Sequence, residues 1–184
     1  MAHIEIPSGF PGIVGLMKYR PDTGRLLLEL SETLLRGDSP LSVEERELIG
    51  AYVSHLNECN FCTGVHAAVA KQLLNNNSNL VDIVCQNLES ADITDRLKAL
   101  LKIAAKVQVG GKQVSEDDIQ KAKNLGATDR DIHDTVLIAA AFCMFNRYVD
   151  GLATTTPNES GAYEQMACQI VEFGYAKASE LLFE

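Results

Sequence analysis

Apolar residues recur at intervals of three and four along the chain, from about residue 23 almost to the end. This spacing places them on one face of an α-helix, and the strict alternation typical of strands is scarce. We therefore predict an all-α fold of about eight helices joined by short connections. The predicted helices cover residues 23–36, 43–57, 60–75, which ends in the polar NNNSN, 79–89, 92–108, 115–125 and 128–149, with a long last helix after Pro157.

Several predicted helices begin with a hydroxyl residue that is followed three positions later by an acidic residue. These pairs are Ser42 with Glu45, Ser115 with Asp118, and Thr128 with Asp131. In such a capping box, the hydroxyl oxygen accepts a backbone N–H of the first turn and the acid accepts the N–H of the capping residue. The pairs therefore mark where three helices start.

The first residues break the helical pattern. The stretch IPSGFPGIVGLMKYRPDTG is punctuated by Gly and Pro, which predicts an extended N-terminal arm over residues 1–22 that packs over the domain or against a neighbouring subunit. No linker or shift in composition divides the rest, and 184 residues suffice for one domain with a substantial core. We expect a single domain over residues 1–184.

Composition and charge narrow the possible functions. Hydrophobic residues make up 46% and charged residues 22%, which is typical of a globular protein. The formal net charge is −9 and no basic cluster occurs, so nucleic acid is a poor candidate partner. No apolar run approaches the ~18 residues that span a bilayer, and the start MAHIEIPSGF does not resemble a signal peptide. We therefore expect a cytoplasmic protein without membrane contact.

Five cysteines are present, and only two of them form a pair. Cys85, Cys143 and Cys168 lie in apolar helical patterns, which predicts small buried side chains. An odd number of cysteines in a reducing compartment makes a structural disulfide framework improbable. Cys59 and Cys62 remain as the candidates for chemistry.

The spacing Cys59-x2-Cys62-x3-His66 puts both thiols and the imidazole on one face of a helix. The pair also falls where the predicted helix starts, and the free N–H groups and dipole of a helix N-terminus favour a thiolate. A neutral imidazole near Cys62 can take its proton, directly or through one water. The sequence thus predicts a reactive thiol at the N-terminus of a core helix.

A carboxylate behind the imidazole would orient it and raise its basicity. Glu47 is the preferred candidate because it lies toward the apolar side of the preceding helix, where a carboxylate needs a partner. Its competitors are Glu44 and Glu45 in the first turn of that helix, and Glu58 beside the first cysteine.

Other interpretations of the cysteine pair stay open at this point. It can be a chance feature of a helical core, or part of a zinc site made of Cys59, Cys62, His66 and one carboxylate. No second CxxC or His pair completes the usual structural zinc site. Haem attachment requires the histidine directly after the second cysteine, and here TGV intervenes. A thioredoxin-like domain requires a βαβ pattern, which the helical periodicity does not provide.

The pattern Glu47-x11-Cys59-x2-Cys62-x3-His66 resembles the active-site signature of the alkylhydroperoxidase AhpD-like proteins in the carboxymuconolactone decarboxylase superfamily. The resemblance implies an AhpD-like multihelical fold. It also implies that Cys62 is the peroxidatic thiol, Cys59 the resolving thiol and His66 the base, which Glu47 orients. In the best-known members a second histidine precedes the peroxidatic cysteine; here that position holds Phe61.

A second segment resembles one branch of that superfamily, the uncharacterised peroxidase-related enzymes. AFCMFNRYVDGL at 141–152 is similar to their F-N-R-x-x-D-G/A-L segment, and the resemblance covers about residues 10 to 155. Asn146, Arg147 and Asp150 stand in this otherwise apolar helix. Arg147 and Asp150 are spaced for a buried or interfacial ion pair; alternatively, Arg147 helps to line a pocket over the dithiol.

The resemblance implies a thiol peroxidase-like antioxidant enzyme that needs no cofactor. Its substrate would be a hydroperoxide, its electron donor a lipoylated or thioredoxin-type thiol protein, and its assembly a homo-oligomer (dimer, trimer or hexamer). One alternative is a dithiol disulfide reductase or redox sensor. Others are an enzyme of the decarboxylase lineage, whose members lack the CxxC pair, and a non-catalytic zinc-binding helical protein.

Overall fold

The structure is a computed structural model that describes residues 2–74, 78–157, 159 and 161–183. These residues form nine α-helices, two 3₁₀ turns and no strand, so the all-α prediction is confirmed. The helices are α1 (Gly12–Tyr19), α2 (Pro21–Arg36), α3 (Val43–Leu56), α4 (Asn60–Leu73), α5 (Ser78–Gln86), α6 (Asp95–Val109), α7 (Glu116–Asn124), α8 (Asp129–Gly151) and α9 (Ala162–Phe183). Within the described ranges, none of the helices is long and apolar enough to cross a bilayer.

The predicted helix boundaries agree with the structure to within a few residues. All three predicted capping boxes are formed, at the starts of α3, α7 and α8. The segment predicted as 79–89 is α5 followed by a 3₁₀ turn at Leu88–Ser90. The predicted end of the third helix at residue 75, and residues 76 and 77 of its polar NNNSN, lie outside the described residues.

The prediction of an extended arm over residues 1–22 is wrong from residue 12 onward, because α1 and the start of α2 lie there. Gly12 does not act as a simple helix breaker. It has φ +58°, and a Cβ on it would lie 2.3 Å from the ring of Phe61, so the glycine permits a close approach. Leu16 and Met17 are buried. Packing against the domain therefore overrides the local Gly and Pro signals.

The cysteine predictions hold in part. All five cysteines are free. Cys143 is buried and Cys85 half-buried, but Cys168 is exposed on α9 and its predicted burial is wrong. The neighbouring Ala167, which is fully buried, takes the inward position of that helix.

Helix α3 is the central element of the fold. It packs against α4, α6 and α8, and α4 packs in turn against α9. Every residue from 46 to 54 of α3 is buried, polar ones included. The helix that carries Glu47 therefore runs through the interior, and α4 lies beside it with the cysteine pair at its start.

Candidate active site

The two thiols lie where the chain turns from α3 into α4. Cys59 is the N-cap residue of α4 and Cys62 is the third residue of its first turn. Both are buried, with exposed fractions of 0% and 4%. The turn is a Schellman motif: Glu58 has φ +59°, its N–H donates to His55 O (2.9 Å), and Cys59 N donates to Ser54 O (3.0 Å).

The two thiols influence each other's titration. A hydrogen bond from Cys62 lowers the pKa of Cys59, against the opposing effect of burial. The same interaction and the burial of Cys62 raise the pKa of Cys62. The pair therefore loses one proton readily and retains the second, which the two sulfurs can share.

His66 follows Cys62 by one helical turn and meets Glu47 from α3. Its Nδ1 lies 2.8 Å from Oε2 of Glu47, whose side chain is fully buried. A carboxylate accepts the Nδ1 proton, so the neutral imidazole presents an unprotonated Nε2, the form that a general base requires. The structure thus brings together Glu47 and His66, as the sequence pattern had suggested.

Two residues that sequence reasoning missed complete the surroundings of the Glu47 carboxylate. Arg36 Nη2 donates to Glu47 Oε1 at 3.4 Å, and the Tyr175 hydroxyl donates to the same oxygen at 3.0 Å. The hydroxyl also lies 3.4 Å from Nδ1 of His66. Burial and the nearby Glu47 charge raise the pKa of Tyr175, so its phenol remains a donor. The only signal in the sequence was general: a buried carboxylate needs several donors.

Tyr175 reaches the site because α9 is interrupted just before it. Gly174 has φ 72° and ψ −172°, and the next two backbone N–H groups, of Tyr175 and Ala176, donate to Oε2 of Glu32 (2.6 and 3.0 Å). A Cβ on Gly174 would lie 2.8 Å from that carboxylate oxygen. Glu32 of α2 thus caps the second half of α9 and fixes the direction of Tyr175.

A largely apolar cavity of about 390 Å³ opens onto one of the thiols and the imidazole. Cys62 and His66 line it, whereas Cys59 does not. The N-terminal segment contributes residues such as Phe10, and α9 contributes Phe173 and Tyr175. A small apolar molecule in this space would meet the Cys62 sulfur first.

Phe61 is buried and lines the same cavity, so the position between the two cysteines holds an apolar wall in place of a second proton carrier. Its ring faces that of Tyr163, with the centroids 6.3 Å apart. The substitution therefore makes the cavity more apolar and leaves His66 as the one imidazole along its lining residues.

The polar residues near the end of α8 differ in their burial and in their influence on the two thiols. Asn146 is fully buried and acts to lower the pKa of Cys62, whereas the exposed Asp150 acts to raise the pKa of Cys59. Arg147 is exposed, donates to the backbone O of Cys143 (2.9 Å), and is absent from the cavity lining. In the described part of the chain it makes no ion pair with Asp150. Arg147 therefore does not line the cavity, and a buried ion pair with Asp150 does not form, whereas a role at an interface stays a prediction.

No group of three or more His, Cys, Asp or Glu side chains among the described residues is arranged to hold a metal ion. The nitrogen Nδ1 of His66 is directed to Glu47. The zinc-site interpretation of the cysteine pair therefore lacks a ligand set in this part of the chain.

Comparison with known proteins agrees with this description. Residues 21–83 match the carboxymuconolactone decarboxylase family. The fold is similar to the alkylhydroperoxidase AhpD core of an uncharacterized peroxidase-related protein from Ralstonia eutropha JMP134, with a TM-score of 0.78 and 26% identity over 90% of this chain and 96% of that one. No curated protein sequence matches significantly.

Two further solved structures share the fold at lower identity. One is an uncharacterized peroxidase-related protein from Silicibacter sp. TM1040, with a TM-score of 0.78 and 23% identity over 89% of this chain and 94% of that one. The other is a protein of unknown function from Agrobacterium tumefaciens, with a TM-score of 0.69 and 18% identity over 86% and 100%. Over residues 21–83 the chain thus matches the carboxymuconolactone decarboxylase family, and its fold is similar to that of AhpD-like, peroxidase-related proteins.

Proposed function

We propose that this protein is a thiol-dependent, peroxidase-like antioxidant enzyme that reduces hydroperoxides by cycling Cys59 and Cys62 between dithiol and disulfide. One observation carries the proposal: Cys62 and His66 line the same apolar cavity, and His66 is held by a fully buried carboxylate. A nucleophile, its base and the group that orients the base thus converge on a space of ligand size.

The residues support the following sequence of steps. His66 Nε2 accepts the Cys62 proton, directly or through water, and the sulfur attacks the terminal oxygen of the hydroperoxide. The O–O bond breaks, the proton passes to the departing alkoxide, and an alcohol and a Cys62 sulfenic acid result. Cys59 then attacks the Cys62 sulfur, and water and a disulfide form. An external dithiol, of the lipoylated or thioredoxin type, returns the pair to its reduced state.

The character of the cavity favours an organic hydroperoxide over hydrogen peroxide. Most of its lining is aliphatic or aromatic, and Phe61 adds a further apolar surface directly beside Cys62. An apolar substrate body gains free energy by leaving water for such a space, whereas hydrogen peroxide has no apolar surface to bury.

The test is to mix the reduced protein with an excess of cumene hydroperoxide or hydrogen peroxide and to follow thiol loss and disulfide formation. We expect two thiols per chain to be lost, with the organic peroxide reacting faster. Cys62→Ser should abolish the reaction, and Cys168→Ser, which removes an exposed cysteine outside the site, should not change it. Unreactive wild-type thiols, or turnover that persists without Cys62, would refute the proposal.

A second candidate function is thiol–disulfide exchange, as a disulfide reductase or redox sensor. It is favoured by one observation: the pKa is lowered at Cys59, which lies off the cavity, and raised at Cys62, which lines it. Under this function the reduced protein would be oxidised rapidly by a small disulfide such as oxidised dithiothreitol or cystine. Comparison of that rate with the hydroperoxide rate distinguishes the two functions.

A further inference from the structure

Two aromatic rings from different helices lie against the imidazole of His66. The ring of Phe142, on α8, is nearly perpendicular to the imidazole (77°), and the two centroids are 4.6 Å apart. The ring of Tyr175, on α9, is tilted by only 24° from the imidazole plane, with the centroids 6.2 Å apart. All three side chains line the cavity. The imidazole is therefore packed by rings on α8 and α9, in addition to its hydrogen bond with Glu47 on α3.

Phe142 is itself closely packed. Its side chain is 1% exposed, and its ring meets that of Phe145 at 76°, with the centroids 5.8 Å apart. On α3, Gly50 faces the tip of the Phe142 ring: a Cβ on this glycine would lie 2.4 Å from Cζ. Gly50 follows Glu47 by three positions and shares its side of the helix. One side of α3 thus both binds the imidazole and leaves room for the phenyl ring.

The hydrogen bond to Glu47 is not the only restraint that the imidazole needs. The torsion about its Cβ–Cγ bond is broad and roughly two-fold in histidine, so a half-turn has little intrinsic cost. After a half-turn the ring would present a carbon to Glu47, and Nδ1 would lose its partner. At 4.6 Å the Phe142 contact is at the short end of the range for aromatic pairs, so the imidazole resists turning unless that closely packed ring moves.

From this arrangement we propose that Phe142, seated on Gly50, is a positioning residue for the base. Together with Tyr175 it keeps Nδ1 of the imidazole on Glu47, so that Nε2 stays the unprotonated nitrogen that takes the Cys62 proton. This inference rests on the proposed function, in which His66 is that base. A phenylalanine that served the core alone would affect stability, but it would not determine which nitrogen of His66 carries the proton.

The test is to determine the tautomer of His66 by ¹⁵N NMR of the reduced protein at about pH 8, where an ordinary histidine is neutral. Protonated and unprotonated ring nitrogens give separate resonances, and the spectrum of His66→Gln identifies the signals of this residue among the four histidines. In the wild type we expect one tautomer, with the proton on Nδ1. In Phe142→Leu we expect both tautomers.

A kinetic measurement accompanies the spectrum. Sulfenic acid formation with cumene hydroperoxide, trapped with a cyclic 1,3-diketone, should slow by about tenfold in Phe142→Leu. This loss lies between no effect and the ~10²-fold that a misplacement of about 1 Å can cost.

Two further variants separate the position of the imidazole from the packing of the core. In the double variant Gly50→Ala with Phe142→Leu, the new methyl group enters the space that the ring tip leaves, so the unfolding midpoint should recover while both tautomers persist. Leu100→Ala is the matched control. This fully buried residue of α6 lies outside the cavity lining, so its loss should lower the unfolding midpoint and leave the tautomer and the rate unchanged.

A single Nδ1–H tautomer in the two Phe142 variants would overturn the inference, whatever the rate. A wild-type proton on Nε2 would do the same, and so would mixed tautomers in Leu100→Ala, because the imidazole would then follow overall stability and not the Phe142 ring. Wild-type protein that forms no sulfenic acid would instead overturn the proposed function, while the tautomer measurement would still judge Phe142.

Discussion

Two breaks in the helical backbone position side chains of the candidate site, and they are built differently. One lies between α3 and α4, where Glu58 has φ +59° and the next residue is Cys59. The other lies within α9, where Gly174 has φ +72° and the next residue is Tyr175. Both occupy the left-handed half of backbone space, yet only one of them is a glycine.

The choice between glycine and another residue follows from the backbone conformation at each break. At Glu58 the residue adopts the left-handed helical conformation of a Schellman motif, which costs a non-glycine residue about 1 kcal/mol. At Gly174 the combination of φ 72° and ψ −172° is accessible essentially to glycine alone, and a Glu32 carboxylate oxygen lies only 2.8 Å from where a Cβ would be. A positive φ alone therefore does not require glycine. Whether glycine is required depends also on ψ and on the atoms that a Cβ would meet.

The largest expected effect is that of Gly174→Ala. The substitution forces alanine into a glycine-only conformation, so we expect the free energy of unfolding to fall by about 3 kcal/mol, measured by urea denaturation. Because Tyr175 would move, the rate of sulfenic acid formation should fall as well. Gly151→Ala is the control, since a Cβ there meets open space at the end of α8. Equal stability of the two variants would show that the backbone conformation at residue 174 does not require glycine.

Tyr175→Phe tests the hydrogen bond from the Tyr175 hydroxyl to Glu47, which the break in α9 makes possible. Removing the hydroxyl takes one donor from the buried Glu47 carboxylate, for which we expect a loss of about 1.5 to 3 kcal/mol in unfolding free energy. Tyr163→Phe is the matched control on the same helix, because the Tyr163 hydroxyl has no hydrogen-bond partner within the described residues. A smaller loss in Tyr175→Phe than in Tyr163→Phe would contradict the assigned hydrogen bond.

The pH dependence of stability gives a second measurement on the same variant. Burial raises the pKa of Tyr175 above its ordinary 10.0 in the folded state, so this group's contribution is fully present below pH 10 and is lost as pH rises further, because the unfolded chain releases the proton first. Wild-type stability should therefore decline more steeply above pH 10 than that of Tyr175→Phe. Parallel curves would show that the phenol titrates normally.

Glu32→Gln should have a smaller effect. The amide oxygen still accepts from Tyr175 N and Ala176 N, but the charge that favours the start of a helical segment is lost, at a cost of about 1 kcal/mol. Glu29→Gln, an exposed glutamate one turn earlier on α2, is the control and should be neutral. Differential scanning calorimetry of the two variants makes the comparison; a neutral Glu32→Gln would mean that hydrogen bonding alone, without charge, holds the break.

The sequence predicts well what local patterns determine. Amphipathic spacing and capping pairs place the helices from α2 onward, and Glu47, the two cysteines and His66 lie within 20 consecutive positions, so two adjacent helices suffice to bring them together. The α1 helix was missed because its glycines and prolines signal turns, whereas its stability comes from packing of Gly12 against Phe61. Local signals cannot report such a contact.

The missed members of the site lie on helices other than α3 and α4. Tyr175 is 128 positions from the Glu47 it contacts, and Arg36 lies beyond the turn before α3. The orientation of Arg147 failed for a related reason: spacing to Asp150 permitted an ion pair, but which face of α8 meets the dithiol is a tertiary property. Residues whose position depends on tertiary contacts become predictable only when the packing of the helices is known.

The smallest expected effect is that of Glu58→Gly. Glycine removes the left-handed strain of about 1 kcal/mol but also increases the conformational entropy of the unfolded chain, so the net gain in unfolding free energy should be about 0.5 kcal/mol. Glu58→Ala, which keeps the strain, should show no gain. Because the Schellman hydrogen bonds of the backbone stay in place, the alkylation rates of Cys59 and Cys62 should be unchanged in both variants. Loss of stability in Glu58→Gly would show that the Glu58 side chain contributes more than its backbone conformation costs, and the two breaks would then differ in side-chain interactions as well as in dihedral angles.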